Sequence, residues 1–132
     1  DYKRLFLDGY SYYLTMVTHK RMPLLIENIE ALRESFRESK KYYRYSIDAI
    51  VILPDHLHMI ITPKDVKEYP KIVRAIKYNF SMRVSHMQEQ SMARYKKGMT
   101  SIWQKRYYEH TIRDEKDYIR CLEYMKNNPI KH

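Results

Sequence analysis

Residues 45–62 read YSIDAIVILPDHLHMIIT, and the break inside this stretch decides the architecture. Tyr45, Ile47, Ala49, Val51 and Leu53 alternate with other residues, which is the period of a strand with one common face. Pro54-Asp55 interrupts the run, and Pro63 closes the apolar, partly β-branched stretch from His56 to Thr62. Two strands around so tight a break read as a hairpin, which needs no crossover. The second strand carries two imidazoles. Residues two apart on a strand point the same way, so His56 and His58 share a face with Ile60 while Leu57, Met59 and Ile61 fill the other. Their Cα atoms then lie roughly 6.5–7 Å apart, close enough for both rings to reach one ion. The same triplet also describes two packed histidines, and the hairpin alone leaves both readings open.

Outward from the hairpin the elements alternate. Tyr10 to Thr18 (YSYYLTMVT) is aromatic and β-branched and reads as a strand. Leu24 to Tyr43 places Leu25, Ile29, Leu32 and Phe36 at helical spacing. Tyr69 to His86 reads as a second helix with Ile72, Val73, Ile76 and Phe80 inward. Gln88 to Thr100 is polar, includes Gly98, and reads as the main loop or a frayed helix end. Ile102 to Ile112 reads as a last strand. Asp114 to Asn127 reads as a helix, with Asp114 as N-cap, Glu115 and Asp117 in the first turn, and Pro129 as a stop. The order β-α-β-β-α-β-α contains a ferredoxin-like split βαβ pattern in its first six elements. The expected class is α+β: one antiparallel sheet with two helices on one face, and an additional C-terminal helix.

The length of 132 residues suits one domain, and a 44% hydrophobic content supports one core. Two glycines and five prolines argue against linkers or low-complexity tracts. No apolar run approaches the roughly 20 residues a membrane-spanning helix needs, and no secretory signal is visible. The single cysteine, Cys121, excludes an internal disulfide framework and fits a reducing cytoplasm. A formal net charge of +9 on so small a chain points to a polyanionic partner. Basic residues recur at Lys40–Lys41–Arg44, Lys71–Arg74–Lys77, Arg94–Lys96–Lys97 and Lys105–Arg106, interleaved with 14 tyrosines that can stack unpaired bases.

Further ligands for an ion have to come from elsewhere, and the last helix offers them. Tyr118, Leu122 and Met125 have core-facing spacing. Tyr124 and Asn128 lie one turn apart on the flank of that stripe. There Tyr124 either packs at a boundary or presents its hydroxyl to a groove. Asn128 either caps the helix or offers a carbonyl oxygen to an ion.

His56-Leu57-His58 is an HUH motif, with a bulky apolar residue between histidines. Together with WQKRYYEHTIRDEKDYIRCLEYMKNNPIKH (103–132), it makes the chain resemble the REP-associated tyrosine transposases, relatives of the insertion-sequence single-tyrosine HUH transposases. The Trp-Gln and basic-aromatic patch, the Glu-His-x-Ile-Arg-Asp block and the Tyr-x3-Asn-Pro-x-Lys-His ending carry the likeness. The N-terminal YSYYLTMVTHKRMPLL is similar too, so the resemblance spans nearly the whole chain as one IS200-like transposase domain, 1–132.

The resemblance implies a ferredoxin-like fold with the nucleophilic tyrosine on a helix after the last strand. It gives Tyr124 the nucleophile position, His56 and His58 the metal-ligand positions, and Asn128 that of a third ligand, where the wider class often has glutamine. It implies a divalent cofactor, Mg²⁺ or Mn²⁺; the second tolerates imidazole better. It implies cleavage and joining of hairpin-forming single-stranded DNA through a 5′-phosphotyrosine, in the bacterial cytoplasm at the nucleoid. It favours a monomer over a dimer that exchanges tyrosine helices. Lys105, Arg106 and Arg113 are candidate phosphate contacts, though a solvated basic face explains them too. His110 is a candidate second-shell or DNA-contact residue, or else a packed histidine. Trp103 reads as core or sheet-edge packing. The alternative function is a non-catalytic hairpin DNA- or RNA-binding ferredoxin-like module, although the RNP consensus strands of an RNA-recognition domain are missing.

Overall fold

A computed structural model describes residues 10–87 and 102–131. The strands are β1 (Ser11–Val17), β2 (Tyr45–Ile52), β3 (His56–Pro63) and β4 (Tyr108–Ile112), and the helices are α1 (Ile29–Lys40), α2 (Tyr69–Met87) and α3 (Glu115–Lys131). One antiparallel sheet runs in the order β2-β3-β1-β4, the order expected of a ferredoxin-like βαββαβ unit. Among the described residues no helix is long and apolar enough to cross a membrane. The expected polar stretch 88–100, with Arg94, Lys96 and Lys97, lies outside the described residues.

Parity along β1 and β3 divides the core in two. Leu14 and Met16 of β1 and Leu57, Met59 and Ile61 of β3 meet Leu32 and Phe36 of α1 and Ile72, Ile76 and Phe80 of α2. On the opposite face Tyr13, Ile60 and Ile112 pack against Cys121 and Met125 of α3. The sheet is therefore covered on both sides, and central β3 is apolar on successive residues because both its faces are buried. His56 and His58 project to the α3 side.

Four expectations are corrected. β2 does not keep one face: its register jumps between Ile47 and Ala49, leaving Asp48 as an extra residue. A one-residue bulge inverts parity, so Tyr45 and Ile47 pack on the α1/α2 side and Ala49 and Val51 on the α3 side. The Asp48 carboxylate accepts hydrogen bonds from Ser46 and Thr62, which satisfies the bulge locally. The first helix is shorter than Leu24–Tyr43, because Asn28 turns its amide onto Leu24 O at 2.8 Å and the chain before it forms turns. The last strand is shorter than Ile102–Ile112: Trp103 makes a single bridge to Thr18, and pairing resumes only at Tyr108. Finally, α3 runs through Pro129 to Lys131; a proline so close to a helix end sacrifices little of the backbone ladder. Asp114 caps this helix as expected, accepting from Asp117 N at 2.8 Å.

Candidate active site

The α3-side surface of the sheet ends in a cavity of about 600 Å³. Its floor follows from register. Val17 lies opposite His56, Thr15 opposite His58, and on the other side of β1 Tyr108 lies opposite Thr15 and His110 opposite Tyr13. Asp117, Arg120, Cys121 and Tyr124 of α3 form one wall, and Arg21 contributes from the loop after β1.

Both histidines are buried and held through Nδ1. His56 Nδ1 lies 2.7 Å from Asp55 Oδ1, and Arg21 Nε donates to Asp55 Oδ2 at 2.8 Å. Burial opposes ionisation of Asp55, but bonds from His56 and Arg21 outweigh it and hold the carboxyl below its ordinary range. Arg21 comes from a turn in which Lys20 and Arg21 both have φ of 53°, a left-handed conformation unfavourable for non-glycine residues. His58 Nδ1 lies 2.8 Å from Thr15 Oγ1 and 3.0 Å from Tyr13 Oη. Burial pushes the Tyr13 phenol up to about 12, against a smaller pull from Thr15, so it stays protonated at neutral pH.

The His56 and His58 ring centroids are 5.0 Å apart and nearly perpendicular. Tyr124 presents its ring edge-to-face to His58 at 6.2 Å and to Tyr13 at 6.0 Å. Its side chain is half exposed at the cavity mouth. Occupation of Nδ1 by a carboxylate or hydroxyls is the pattern by which metal-ligating histidines are oriented, with Nε2 as ligand atom. The donor set therefore fits a divalent cation.

Over residues 7–128 the sequence matches the family described as Transposase IS200 like. The chain belongs to this family. A REP-associated tyrosine transposase of Escherichia coli is 31% identical, the alignment taking in all of this chain and 73% of that protein. A Haemophilus influenzae protein described in similar terms is 32% identical over all of this chain and 77% of its own length. Among solved structures, a REP-associated tyrosine transposase bound to a REP hairpin superposes with a TM-score of 0.74 at 31% identity, covering all of this chain and 73% of that one. The crystal structure of a Deinococcus radiodurans transposase candidate, 22% identical, agrees in fold with a TM-score of 0.60 over 90% of this chain and 91% of its own. Membership of the IS200-like transposases assigns the chain a DNA-processing role.

In this IS200-like transposase, His56, His58, Tyr124 and His110 gather around one cavity. Asn128 lies on α3 one turn beyond Tyr124, and its side chain falls outside what the structure describes. Lys105, Arg106 and Arg113 are exposed and stand outside the cavity wall. His110 is half-buried rather than packed in the core, and its Nε2 sits 2.8 Å from both carboxylate oxygens of Asp117.

Sequence reasoning missed Tyr13, Thr15, Arg21, Asp55, Asp117 and Arg120 as members of this region. Asp55 stands next to His56 and could have been suspected as its carboxylate partner. Tyr13 and Thr15 required the register of β1 against β3, which no local pattern reveals.

Proposed function

We propose that this transposase is a metal-dependent endonuclease and strand transferase that acts on hairpin-forming single-stranded DNA through Tyr124. The placement of Tyr124 over His58, beside two histidines held through Nδ1, carries this reading. The Tyr124 oxygen attacks the scissile phosphorus; the new O–P bond forms as the P–O3′ bond breaks, the phenol gives up its proton, and the leaving strand ends in a 3′-hydroxyl. The 5′-phosphotyrosine conserves the phosphodiester bond energy, so a second 3′-hydroxyl can reverse the step without ATP.

His56 and His58 through Nε2, with Asn128, are the residues that would hold Mg²⁺ or Mn²⁺. A bound ion supplies Lewis acidity at a phosphate oxygen. Arg21 and Arg120 at the cavity, and Lys105, Arg106 and Arg113 beyond it, neutralise the strand backbone. Exposed Tyr108 on the cavity wall offers a stacking surface for an unpaired base. The hairpin-bound relative supports REP-type palindromes as substrates. We read residues 1–132 as one transposase domain that works as a monomer on nucleoid DNA.

The test incubates the protein with hairpin oligonucleotides from the genomic flanks of its gene, with Mg²⁺ or Mn²⁺. A covalent protein–DNA band on a denaturing gel, absent without metal and absent in Tyr124→Phe, is expected. Hairpin binding without a band, under both metals, would replace this reading with that of a non-catalytic hairpin-binding module.

A further inference from the structure

A second set of donors lines the same cavity. Asp117 and Cys121 are four residues apart on α3, so they share a helix face, and His110 meets them from β4. One ligand atom from each of the three lies within 4.8 Å of the other two. The His56/His58 pair is on β3, two strands from β4 with β1 between, a separation on the order of 10 Å. The two sets therefore do not share one ion.

The donors also differ in kind. A nitrogen, a carboxylate oxygen and a sulfur form a set that Zn²⁺ accepts and that Mg²⁺ does not prefer. We propose that His110, Asp117 and Cys121 constitute a zinc-type cation site, separate from the histidine pair, that clips the tyrosine-bearing helix to the β4 edge of the sheet. The inference stands whether or not Tyr124 cleaves DNA.

Small adjustments complete the site. His110 Nε2 lies 2.8 Å from both carboxylate oxygens of Asp117, and an ion bound there takes the place of the proton on this contact, which leaves to solvent. The Cys121 thiol loses its proton to solvent as the sulfur becomes a ligand. A water from the cavity completes four-coordination, as in sites with three protein ligands. Arg120, 3.9 Å from Asp117 Oδ1 and 76% exposed, is free to swing toward solvent. Tyr124 follows Cys121 by three residues on the same helix, so an ion bridging β4 and α3 fixes the helix turn that bears Tyr124.

The test is a Co²⁺ titration of the full chain followed by absorption spectroscopy. Cys121 is the only cysteine, so any thiolate-to-cobalt charge-transfer band must arise from it. One equivalent of Co²⁺ giving this band is expected, with the band displaced by Zn²⁺, lost in Cys121→Ser and retained in the near-isosteric double variant His56→Gln/His58→Gln. His110→Gln should weaken the titration at least tenfold. Zn²⁺ should also raise the thermal midpoint of the wild type and leave that of Cys121→Ser unmoved. A wild type without the band, a band that survives in Cys121→Ser, or a band lost in the double histidine variant would overturn the proposal.

Discussion

Replacing Asp55 by Asn should weaken divalent-ion binding at the histidine pair while leaving the fold nearly intact. Asp55 Oδ1 sits 2.7 Å from His56 Nδ1, so the carboxylate favours the tautomer with its proton on Nδ1 and a lone pair on Nε2, which the proposed ligand role requires. Asn preserves the shape but removes the charge from this bond. Losing such a partner of a metal-ligating histidine costs roughly 10–100-fold in affinity, which corresponds to about 1.4–2.7 kcal/mol. The folding cost is smaller. The Arg21–Asp55 pair has side chains 50% and 22% exposed, and ion pairs of that kind contribute about 0–1 kcal/mol. Calorimetric titration with Mn²⁺ measures the affinity, and the Mn²⁺ dependence of covalent-complex formation gives the functional readout. The half-saturating concentration should rise by the same roughly 10–100-fold factor, and saturating ion should restore the wild-type plateau. An unchanged midpoint would refute the reasoning, as would a lost plateau that excess Mn²⁺ cannot recover.

Two further outcomes are expected. Tyr13→Phe and Thr15→Val should each be mild, because either hydroxyl can serve His58 Nδ1; the double variant should lose about 1–3 kcal/mol more than the sum in urea unfolding, since it takes both hydroxyls away from that buried nitrogen. Additive losses would show that the two hydroxyls do not substitute for one another. Tyr45 provides the pH test: burial, only partly offset by its 2.6 Å bond with Ser39, raises its phenol above the ordinary value of 10.0. A raised folded-state value means its stabilising contribution is complete below pH 10 and is lost as pH rises through the folded-state value. The stability gap between wild type and Tyr45→Phe should therefore narrow in strongly alkaline solution, and a constant gap would contradict the assignment.

The element order was legible because each segment has a period of its own, and the two-faced burial of β3 does not disturb the parity of His56 and His58. The Asp48 bulge was not legible. YSIDAIVIL alternates well enough to look regular, and only pairing with β3 shows that one residue is surplus. Asp114 could be read as a cap because capping is local, whereas the side of the sheet that α3 covers depends on which strand faces it. At the site, the histidine pair and Tyr124 were visible in the sequence as a motif and a helix flank. Their supports were not: Thr15 and Tyr13 reach His58 across strands, and Asp117 looked like an ordinary first-turn acid until β4 brought His110 against it. Cys121 carried information about compartment in the sequence and about neighbours only in the fold.

The unequal anchoring of the site has a kinetic consequence. His56 and His58 belong to an interior strand paired on both edges and buried on both faces, so their amides open only when the whole domain does. Tyr124 belongs to a peripheral helix tied to the sheet chiefly by Cys121 and Met125, with Tyr118 and Leu122 half covered. Such a helix can detach in a sub-global opening while the rest of the domain stays folded. The histidine pair thus keeps its shape while the helix opens and closes, and Tyr124 belongs to the more weakly held part of the fold.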